Sequence, residues 1–502
     1  MRTAKAANNM IANLVLQLVT AASGFILPAL FIGHYGSEMN GMIGSLKQFI
    51  GYLSLVGGGV GAASIVALYA PLARQDNKAV RSLLAATRIF YKKSSYFFAG
   101  GLLAIAALYP WLVRNEMELM VSFLMALVIG GGALMEFALV ASDRVLLFAD
   151  QKGHVIFYIQ AAAAALNALI TAGLILAGCH VLVVQTAATL IYVSRLFVIR
   201  RYVNVHYPQL SGHDEPDFSA IDNRWSALTH QIAGIIVLNS PVVVITIFSG
   251  LKAVSVYIVY NMVFAAVGMI VGVFSAGMRA GFGEIIAGQD RDLLRNTYDN
   301  YEYIYYAALT WAYTCTGLLI MPFINVYAAN FTDTNYIRPD IALLFLIIGV
   351  ANNLRTPSST LIFASGHFRE TQRRAILEAL INLTVSLSLV QYWGIVGVLL
   401  GSVCSYAYRT LDSIWYTARH ITGQSLWRSA RRIVINAVLA LLAALPFGFW
   451  LRIETAGFRG WIIWTGGVAV YVLIMVLLGN WITDRAMFRT SWERVKSISG
   501  RA

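Results

Sequence analysis

Long apolar runs, separated by short polar or basic stretches, recur along the whole chain. A helix needs about 20 mostly apolar residues to cross a hydrocarbon core of about 30 Å. Barrel strands would instead alternate apolar and polar residues over about 10 positions, and these runs do not. The pattern predicts an all-α integral membrane protein with about fourteen transmembrane helices. The predicted spans are 9–33, 41–70, 94–113, 117–140, 154–178, 180–199, 227–248, 253–281, 302–327, 339–363, 375–392, 394–417, 432–451 and 459–481.

Composition agrees with a membrane protein. Of 502 residues, 58% are hydrophobic and 12% are charged, and the mean hydropathy is +0.68. The first span is too long for a signal peptide and has no small-residue cleavage site, so we expect it in the mature protein. The three cysteines, Cys179, Cys315 and Cys404, are widely separated and odd in number. They indicate neither a disulfide framework nor a metal site.

The net charge of +13 reflects where the basic residues lie. With an inside amino terminus, most of the 37 Lys and Arg residues fall in cytoplasmic segments, as the positive-inside rule requires. This distribution predicts a multi-pass protein with both termini in the cytoplasm and argues against nucleic-acid binding. Basic clusters such as Arg428, Arg431 and Arg432 would also attract anionic lipid headgroups.

An internal repeat appears at an offset of 214 to 215 residues. The run Ala-Arg-Gln-Asp at 73–76 is matched by Ala-Gly-Gln-Asp at 287–290, and Tyr192 and Arg195 are matched by Tyr406 and Arg409. Because each half contains six spans, both halves have the same orientation and form a parallel repeat. Transporters built this way place the substrate site between the halves.

The repeat predicts two six-helix lobes around a central cavity, with two appended helices outside the symmetry. We assign helices 1–6 to an N-lobe (1–205), helices 7–12 to a C-lobe (227–420), and helices 13–14 with a cytoplasmic tail to residues 421–502. The segment 206–226 is a polar cytoplasmic linker.

Polar residues within the apolar spans are the candidates for a substrate cavity. Lys47 and Gln48 lie in the second span, where Lys47 either faces a cavity or snorkels to the interface. At the repeat offset Lys47 is matched by Asn261. Arg279, near the end of the same span as Asn261, is either a cavity cation or a positive-inside anchor.

The tenth span carries the densest polar cluster, Asn352, Asn353 and Arg355, just before Pro357. A proline bends a helix and removes a backbone donor. The cluster either contributes to the cavity or satisfies the buried groups of the bend.

Three acidic residues lie at depth within the spans, away from their ends: Glu136, Glu378 and Asp412. One interpretation is that they pair with cations such as Arg409. The other is ion coupling, in which a buried carboxylate binds a proton or sodium during transport.

Helix-breaking residues mark candidate hinges. Gly24 and Pro28 interrupt the first span, and Asn239 and Pro241 interrupt the seventh at a nearly equivalent place. Bent helices of this kind often line a cavity. Small residues also allow helices to pack closely without a special function.

The sequence lacks several common motifs of enzyme chemistry. The chain has no Gly-Lys dipeptide, hence no P-loop, and no His-Glu-x-x-His or Gly-x-Ser-x-Gly motif. We expect no catalytic residues, no bound cofactor and no metal. Energy for transport would come from a proton or sodium gradient, the membrane potential or removal of the substrate.

Several short patterns together resemble a known family. They are Phe31, Gly33, Gly36, Gly41, Ala67, Leu68, Tyr69, Pro71, Leu72, Ala73, Tyr257, Tyr260, Asn261, Phe282, Gly283, Tyr301, Glu302, Gly366, His367, Phe368, Gly394, Gly397 and Gly401. Over nearly the whole chain the sequence resembles the polysaccharide or O-antigen flippases of the multidrug/oligosaccharidyl-lipid/polysaccharide exporter superfamily.

The resemblance implies a flippase that moves an undecaprenyl-diphosphate-linked oligosaccharide to the outer leaflet by alternating access. It implies a bacterial inner membrane location, a cationic cavity formed here by Lys47, Arg279 and Arg355, and a monomer working with glycosyltransferases and a polysaccharide polymerase. The alternatives are a multidrug efflux antiporter of the same superfamily, a peptidoglycan lipid-precursor flippase and a membrane glycosyltransferase or polymerase. The last should carry a sizeable external loop, which the sequence lacks.

Overall fold

The computed structural model describes residues 2–57, 59–210, 214–218, 225–275, 278–449, 451, 453–455 and 457–499. Throughout this part the regular structure is helical, without strands. The α-helices are α1 (Arg2–Leu53), α2 (Val60–Ala73), α3 (Asn77–Leu112), α4 (Leu119–Leu139), α5 (Ala141–Ala149), α6 (Gly153–Leu176), α7 (Val181–His206), α8 (Trp225–Ser249), α9 (Leu251–Gly272), α10 (Met278–Ala287), α11 (Arg291–Tyr327), α12 (Pro339–Leu354), α13 (Thr356–Ala364), α14 (Phe368–Trp393), α15 (Ile395–Tyr416), α16 (Leu426–Phe449), α17 (Gly457–Thr483) and α18 (Arg485–Ser499).

Twelve helical segments of the described chain are long and apolar enough to cross a membrane. The first, Asn8–Gly57, has 50 residues, or about 75 Å of helix, which is enough for two crossings. It contains the predicted first span and much of the second. The predicted twelfth span is α15, whose 22 residues are long enough but too polar to count among the twelve. The all-helical membrane class is therefore confirmed.

The second predicted span, 41–70, is not one continuous α-helix. Helix α1 ends at Leu53, a 3₁₀ turn follows over Ser54–Gly57, and α2 begins at Val60. Gly59, just before α2, has a φ of 79°, a conformation that favours glycine. The prediction of a single helix here was wrong because an apolar turn has the same hydropathy as an apolar helix.

The internal repeat is confirmed by the backbone. Gly36, where α1 changes direction, and Gly250, between α8 and α9, are 214 residues apart and both have a φ of 84°. Gln75 and Gln289 are also 214 residues apart and have φ values of 56° and 57°. A positive φ is uncommon for residues other than glycine, so these matched positions indicate the same chain path in both halves.

The same offset relates the starts of two long helices. Asp76 caps α3 by accepting a hydrogen bond from the Ala79 amide at 3.0 Å. Asp290 caps α11 by accepting one from the Leu293 amide at 2.9 Å. Each aspartate satisfies an amide that the first turn of a helix leaves without a partner.

The chain divides into two compact units, Met1–Val259 (unit 1) and Tyr260–Ala502 (unit 2). Unit 1 is built around buried side chains of α1, α3 and α4, including Met42, Phe98 and Met125. Unit 2 has a tyrosine-rich core along α11 and a cluster around Leu319 and Val472. The predicted lobe boundaries remain a prediction. Residues 211–213 and 219–224 of the predicted linker lie outside the described residues.

Candidate substrate cavity

Unit 1 contains an open cavity of about 770 Å³ between α1 and helices α3 to α7. Much of its wall is apolar or aromatic, and the amides of Gln160, Asn167 and Gln185 also line it. Its described ionisable lining residues, tyrosines aside, are Lys47, Glu136, Arg144 and Arg195. A volume of this size lies within the usual range for small-molecule sites, about 300 to 1,000 Å³.

Lys47 reaches this cavity from the second arm of α1. It lies eleven residues beyond the Gly36 bend, which corresponds to about 17 Å along the helix. Its side chain lines the cavity, and no hydrogen bond or ion pair joins it to another residue in the part of the chain that the structure describes. Gln48, the next residue, is half-buried and is not part of the cavity lining.

Glu136 forms the centre of a charged cluster in the cavity wall. It accepts hydrogen bonds from Arg144 and from the Tyr192 hydroxyl, and Arg195 Nη2 lies 3.0 Å from its Oε2. The Arg195 guanidinium also lies over the Tyr192 ring, 3.7 Å from its centre. One carboxylate therefore faces two arginines. With Lys47, the described lining carries three cations and one anion, a surplus of two positive charges.

Arg195 also has an unused donor. Its Nε is buried and has no hydrogen-bond partner among the described residues. A buried donor without a partner is costly and normally has a structural or functional explanation.

Unit 2 contains a second charged cluster, formed by α14, α15 and the junction between α12 and α13. Arg355 Nη1 lies 2.6 Å from Glu378 Oε1, and Arg409 Nε lies 3.5 Å from Glu378 Oε2. Asp412 pairs with Arg374 and, at 3.2 Å, with Arg409. Each acidic candidate from the sequence thus contacts two arginines. Whether any of them couples transport to an ion remains a prediction.

The Asn352–Arg355 cluster divides between two roles. Asn352 accepts a hydrogen bond from Arg355 Nη2 at 2.8 Å and so belongs to the charged cluster. Asn353 is buried: its Nδ2 donates to Tyr313 Oη at 2.8 Å and its Oδ1 accepts from Tyr305 Oη at 3.2 Å. These bonds satisfy polar groups beside the break between α12 and α13.

The remaining candidates, Asn261 and Arg279, are not among the described lining residues of the unit 1 cavity. Asn261 is exposed on α9 and belongs to unit 2, whereas Lys47 belongs to unit 1. Arg279 is exposed on α10, with its guanidinium 5.2 Å from the centre of the Phe363 ring. The cavity role of both stays a prediction.

The four predicted hinge residues lie inside continuous helices. Gly24 and Pro28 lie within α1, before its bend, and Asn239 and Pro241 lie within α8. The chain instead changes direction at the positive-φ glycines 36 and 250. Motion at the predicted hinges is untested.

Sequence reasoning did not assign several polar lining residues to the cavity, among them Arg144, Gln160, Asn167, Gln185 and Arg195. Arg195 was noted only as the repeat match of Arg409. The charges of Lys47 and Glu136 within spans, together with this repeat match, were the signals that pointed toward this wall.

Solved structures of other proteins share the fold of this chain. No protein-family model matches the sequence, and a search of curated proteins gives no match. Among solved structures, the lipid II flippase MurJ in an inward closed conformation is 13% identical, with a TM-score of 0.64 over 95% of this chain and 98% of that one.

Two further solved structures are a multidrug resistance MATE family transporter of the MOP superfamily in inward-facing and outward-facing conformations. The inward-facing structure is 15% identical, with a TM-score of 0.61 over 82% of this chain and 98% of that one. The outward-facing structure is 16% identical, with a TM-score of 0.56 over 84% and 96%. At these identities the similarity is one of fold. The chain has the fold of the MOP-superfamily transporters and flippases, and its resemblance to the polysaccharide flippases in particular stays a prediction.

Proposed function

We propose that this protein is a flippase that moves an undecaprenyl-diphosphate-linked oligosaccharide from the cytoplasmic to the outer leaflet by alternating access. The observation that carries the proposal is the unit 1 cavity, with its surplus of two positive charges and with Lys47 unpaired among the described residues. The fold shared with transporters and with a lipid II flippase supports the same class of activity.

The chemistry of the cavity fits an anionic carrier lipid. A diphosphate taken from water into a low-dielectric cavity needs compensating charge, which Lys and Arg supply through charge-assisted hydrogen bonds. Lys47 and the guanidinium groups of Arg144 and Arg195 line the cavity and can supply such donors. The amides of Gln160, Asn167 and Gln185 can hydrogen-bond sugar hydroxyls.

The proposal carries a cellular setting with it. The protein would act in the bacterial inner membrane with both termini in the cytoplasm, between the glycosyltransferases that build the glycan and a polymerase that uses it. A proton or sodium gradient or the membrane potential would drive the cycle.

A peptidoglycan lipid-precursor flippase is the second candidate. It is favoured by the similarity to the lipid II flippase, which extends over 95% of this chain, against 82% and 84% for the two multidrug transporter structures. Multidrug efflux is less well supported by the cavity. A site for cationic drugs needs acidic or aromatic walls, and the one carboxylate in the described lining, Glu136, is held by two arginines.

Deleting the gene tests the proposal and separates the two candidates. We expect a lipid-linked surface-polysaccharide intermediate to accumulate on the cytoplasmic leaflet and surface polysaccharide to disappear. Accumulation of the peptidoglycan precursor would instead establish the second candidate. If neither intermediate accumulates, the flippase proposal is wrong.

Replacing Lys47 by methionine tests the role of the cavity charge. The change keeps the length of the side chain and removes a charge that costs about 2.5 to 3.5 kcal/mol at membrane depth, so insertion and folding should not suffer. We expect Lys47→Met to reduce restored surface polysaccharide at least tenfold and Lys47→Arg to retain most of it. Lys93→Met, at an exposed position of α3 outside the cavity, is the matched control. Full restoration by Lys47→Met would refute a cationic substrate site.

A further inference from the structure

Unit 2 contains a second cleft that the proposed function does not use. It has a volume of about 580 Å³ and lies between α11, α16, α17 and α18. Its walls are polar, with asparagine amides, threonine hydroxyls, two aspartates and three arginines of α16. The three arginines are those that the sequence marked as a cluster attractive to lipid headgroups.

The structure distinguishes these arginines by their partners. Arg432 is buried and lies 2.7 Å from Glu302 and 3.3 Å from Asp299. Arg428 is half-exposed, and of its guanidinium nitrogens only Nη1 contacts a described acid, at 2.6 Å from Asp299. Arg431 is exposed to the cleft and makes no hydrogen bond or ion pair with any residue that the structure describes.

Arg428 and Arg431 therefore offer free guanidinium donors on one face of α16, three residues apart. Guanidinium groups bind phosphate oxygens through paired hydrogen bonds. Asp299 does not compete for a ligand, because it already accepts from both Arg428 and Arg432 and from Gln424 at 3.0 Å.

The position of the cleft indicates the source of the phosphate. Helix α17 is an apolar spanning helix that ends at Thr483, and α18 begins at Arg485, after one intervening residue. The start of α18 carries basic residues, Arg485 and Arg489, alongside Met487 and Phe488, a composition typical of helices that lie in the membrane interface. Ser491 of α18 donates to Asn300 of α11 at 3.2 Å and fixes α18 beside the cleft.

Asp484 limits the charge of the ligand. It lines the cleft and caps α18 by accepting from the Met487 amide at 3.0 Å. Its carboxylate would repel a strongly negative group such as a diphosphate, whereas a phosphodiester carries a single negative charge. We propose that Arg431 and Arg428 hold the phosphodiester of a glycerophospholipid from the surrounding leaflet in this cleft, apart from the transport cavity.

The test measures phospholipid that stays with the purified full-length protein through detergent exchange, by native mass spectrometry. Phosphatidylglycerol is then added back, and inorganic phosphate serves as competitor. We expect wild-type protein to retain a bound phospholipid, Arg431→Ala to retain at least fivefold less, and Arg431→Lys to lie between them. Arg373→Ala, which removes an exposed arginine of α14 outside the cleft, should behave as wild type.

Two results would overturn the proposal. One is equal retention by wild type and Arg431→Ala, which would show that the cleft does not hold the lipid. The other is displacement of the lipid by millimolar inorganic phosphate, which would identify a site for free phosphate. Because Arg431 has no described partner to lose, its replacement should leave thermal unfolding unchanged, and the same sample reports this.

Discussion

Replacing Glu378 by glutamine tests whether the buried acidic residues are structural pairs or coupling sites. The side chains of Glu378 and Arg409 are 9% and 7% exposed, and that of Arg355 is 21% exposed. Glu378→Gln leaves Arg355 without an acidic partner, whereas Arg409 keeps Asp412 at 3.2 Å. Removing one member of a buried pair costs about 3 to 5 kcal/mol, because the remaining charge is buried without compensation.

For a unit of this size, such a loss lowers the unfolding temperature by about 6 to 20 °C. The assay is thermal unfolding of the purified protein in detergent, combined with restoration of surface polysaccharide in the deletion strain. Arg355→Met combined with Glu378→Gln removes a positive charge together with the negative one. We therefore expect the double variant to recover most of the lost stability.

The two interpretations differ in transport. If Glu378 is a structural pair, the double variant should also recover transport along with stability. A coupling site would instead lose transport in both variants while stability returned. A shift below about 2 °C for Glu378→Gln would refute the view that this pair stabilises unit 2.

Two further predictions concern the ends of helices. Asp76→Ala and Asp290→Ala should each lower the free energy of unfolding by about 1 kcal/mol, because each removes a helix cap at an equivalent place in the repeat. In the same unfolding assay, Asp292→Ala, which changes a highly exposed side chain, should lower it less. Equal effects at all three positions would contradict the capping roles. The Tyr207 phenol donates to Asp150, and its burial and this bond raise its pKa above the ordinary value of about 10. As pH rises, the Tyr207 phenol therefore loses its proton in the unfolded chain before it does in the folded protein, so stability should fall above pH 10. Tyr207→Phe should flatten the dependence of unfolding temperature on pH between 9 and 11. The same pH dependence in wild type and Tyr207→Phe would exclude Tyr207 as a contributor.

The repeat could be predicted from sequence because its best matches lie where the backbone restricts residue choice. Gln75 and Gln289 occupy positive-φ turns, and the aspartates that follow them cap helices. Such positions tolerate few residue types. Lipid-facing positions accept almost any apolar residue, so similarity there would have carried little information.

The break at 54–59 could not be predicted in the same way. Hydropathy depends on composition, and the residues of the 3₁₀ turn, Ser54–Gly57, are mostly as apolar as a helix. The glycines at 57 and 59 allowed either close packing or a break. Whether the helix continues or breaks at these glycines depends on how the neighbouring helices pack, which the sequence does not show.

The acidic members of the charged clusters and one partner, Arg409, could be predicted, whereas the other partners could not. Glu136 lies 8 residues from Arg144 and 59 from Arg195, and sequence alone does not show which helices meet. The family resemblance implied that Arg355 is a cavity cation, and it lies 2.6 Å from Glu378 on another helix; its cavity role stays a prediction. A charge within a span can be recognised from sequence, whereas its compensation is a tertiary property.

The two halves of the repeat differ in how much of their charge is compensated. Arg195 and Arg409 are matched by the repeat, and each lies against a carboxylate, but those carboxylates come from different helices, Glu136 on α4 and Glu378 on α14. The repeat match of Lys47 is the uncharged Asn261. Unit 1 therefore carries a lysine that its described residues leave unpaired, whereas the arginines of the unit 2 cluster all contact acids. An anionic substrate should consequently depend more on Lys47 than on Arg355, and Lys47→Met should impair transport without the loss of stability expected at Glu378.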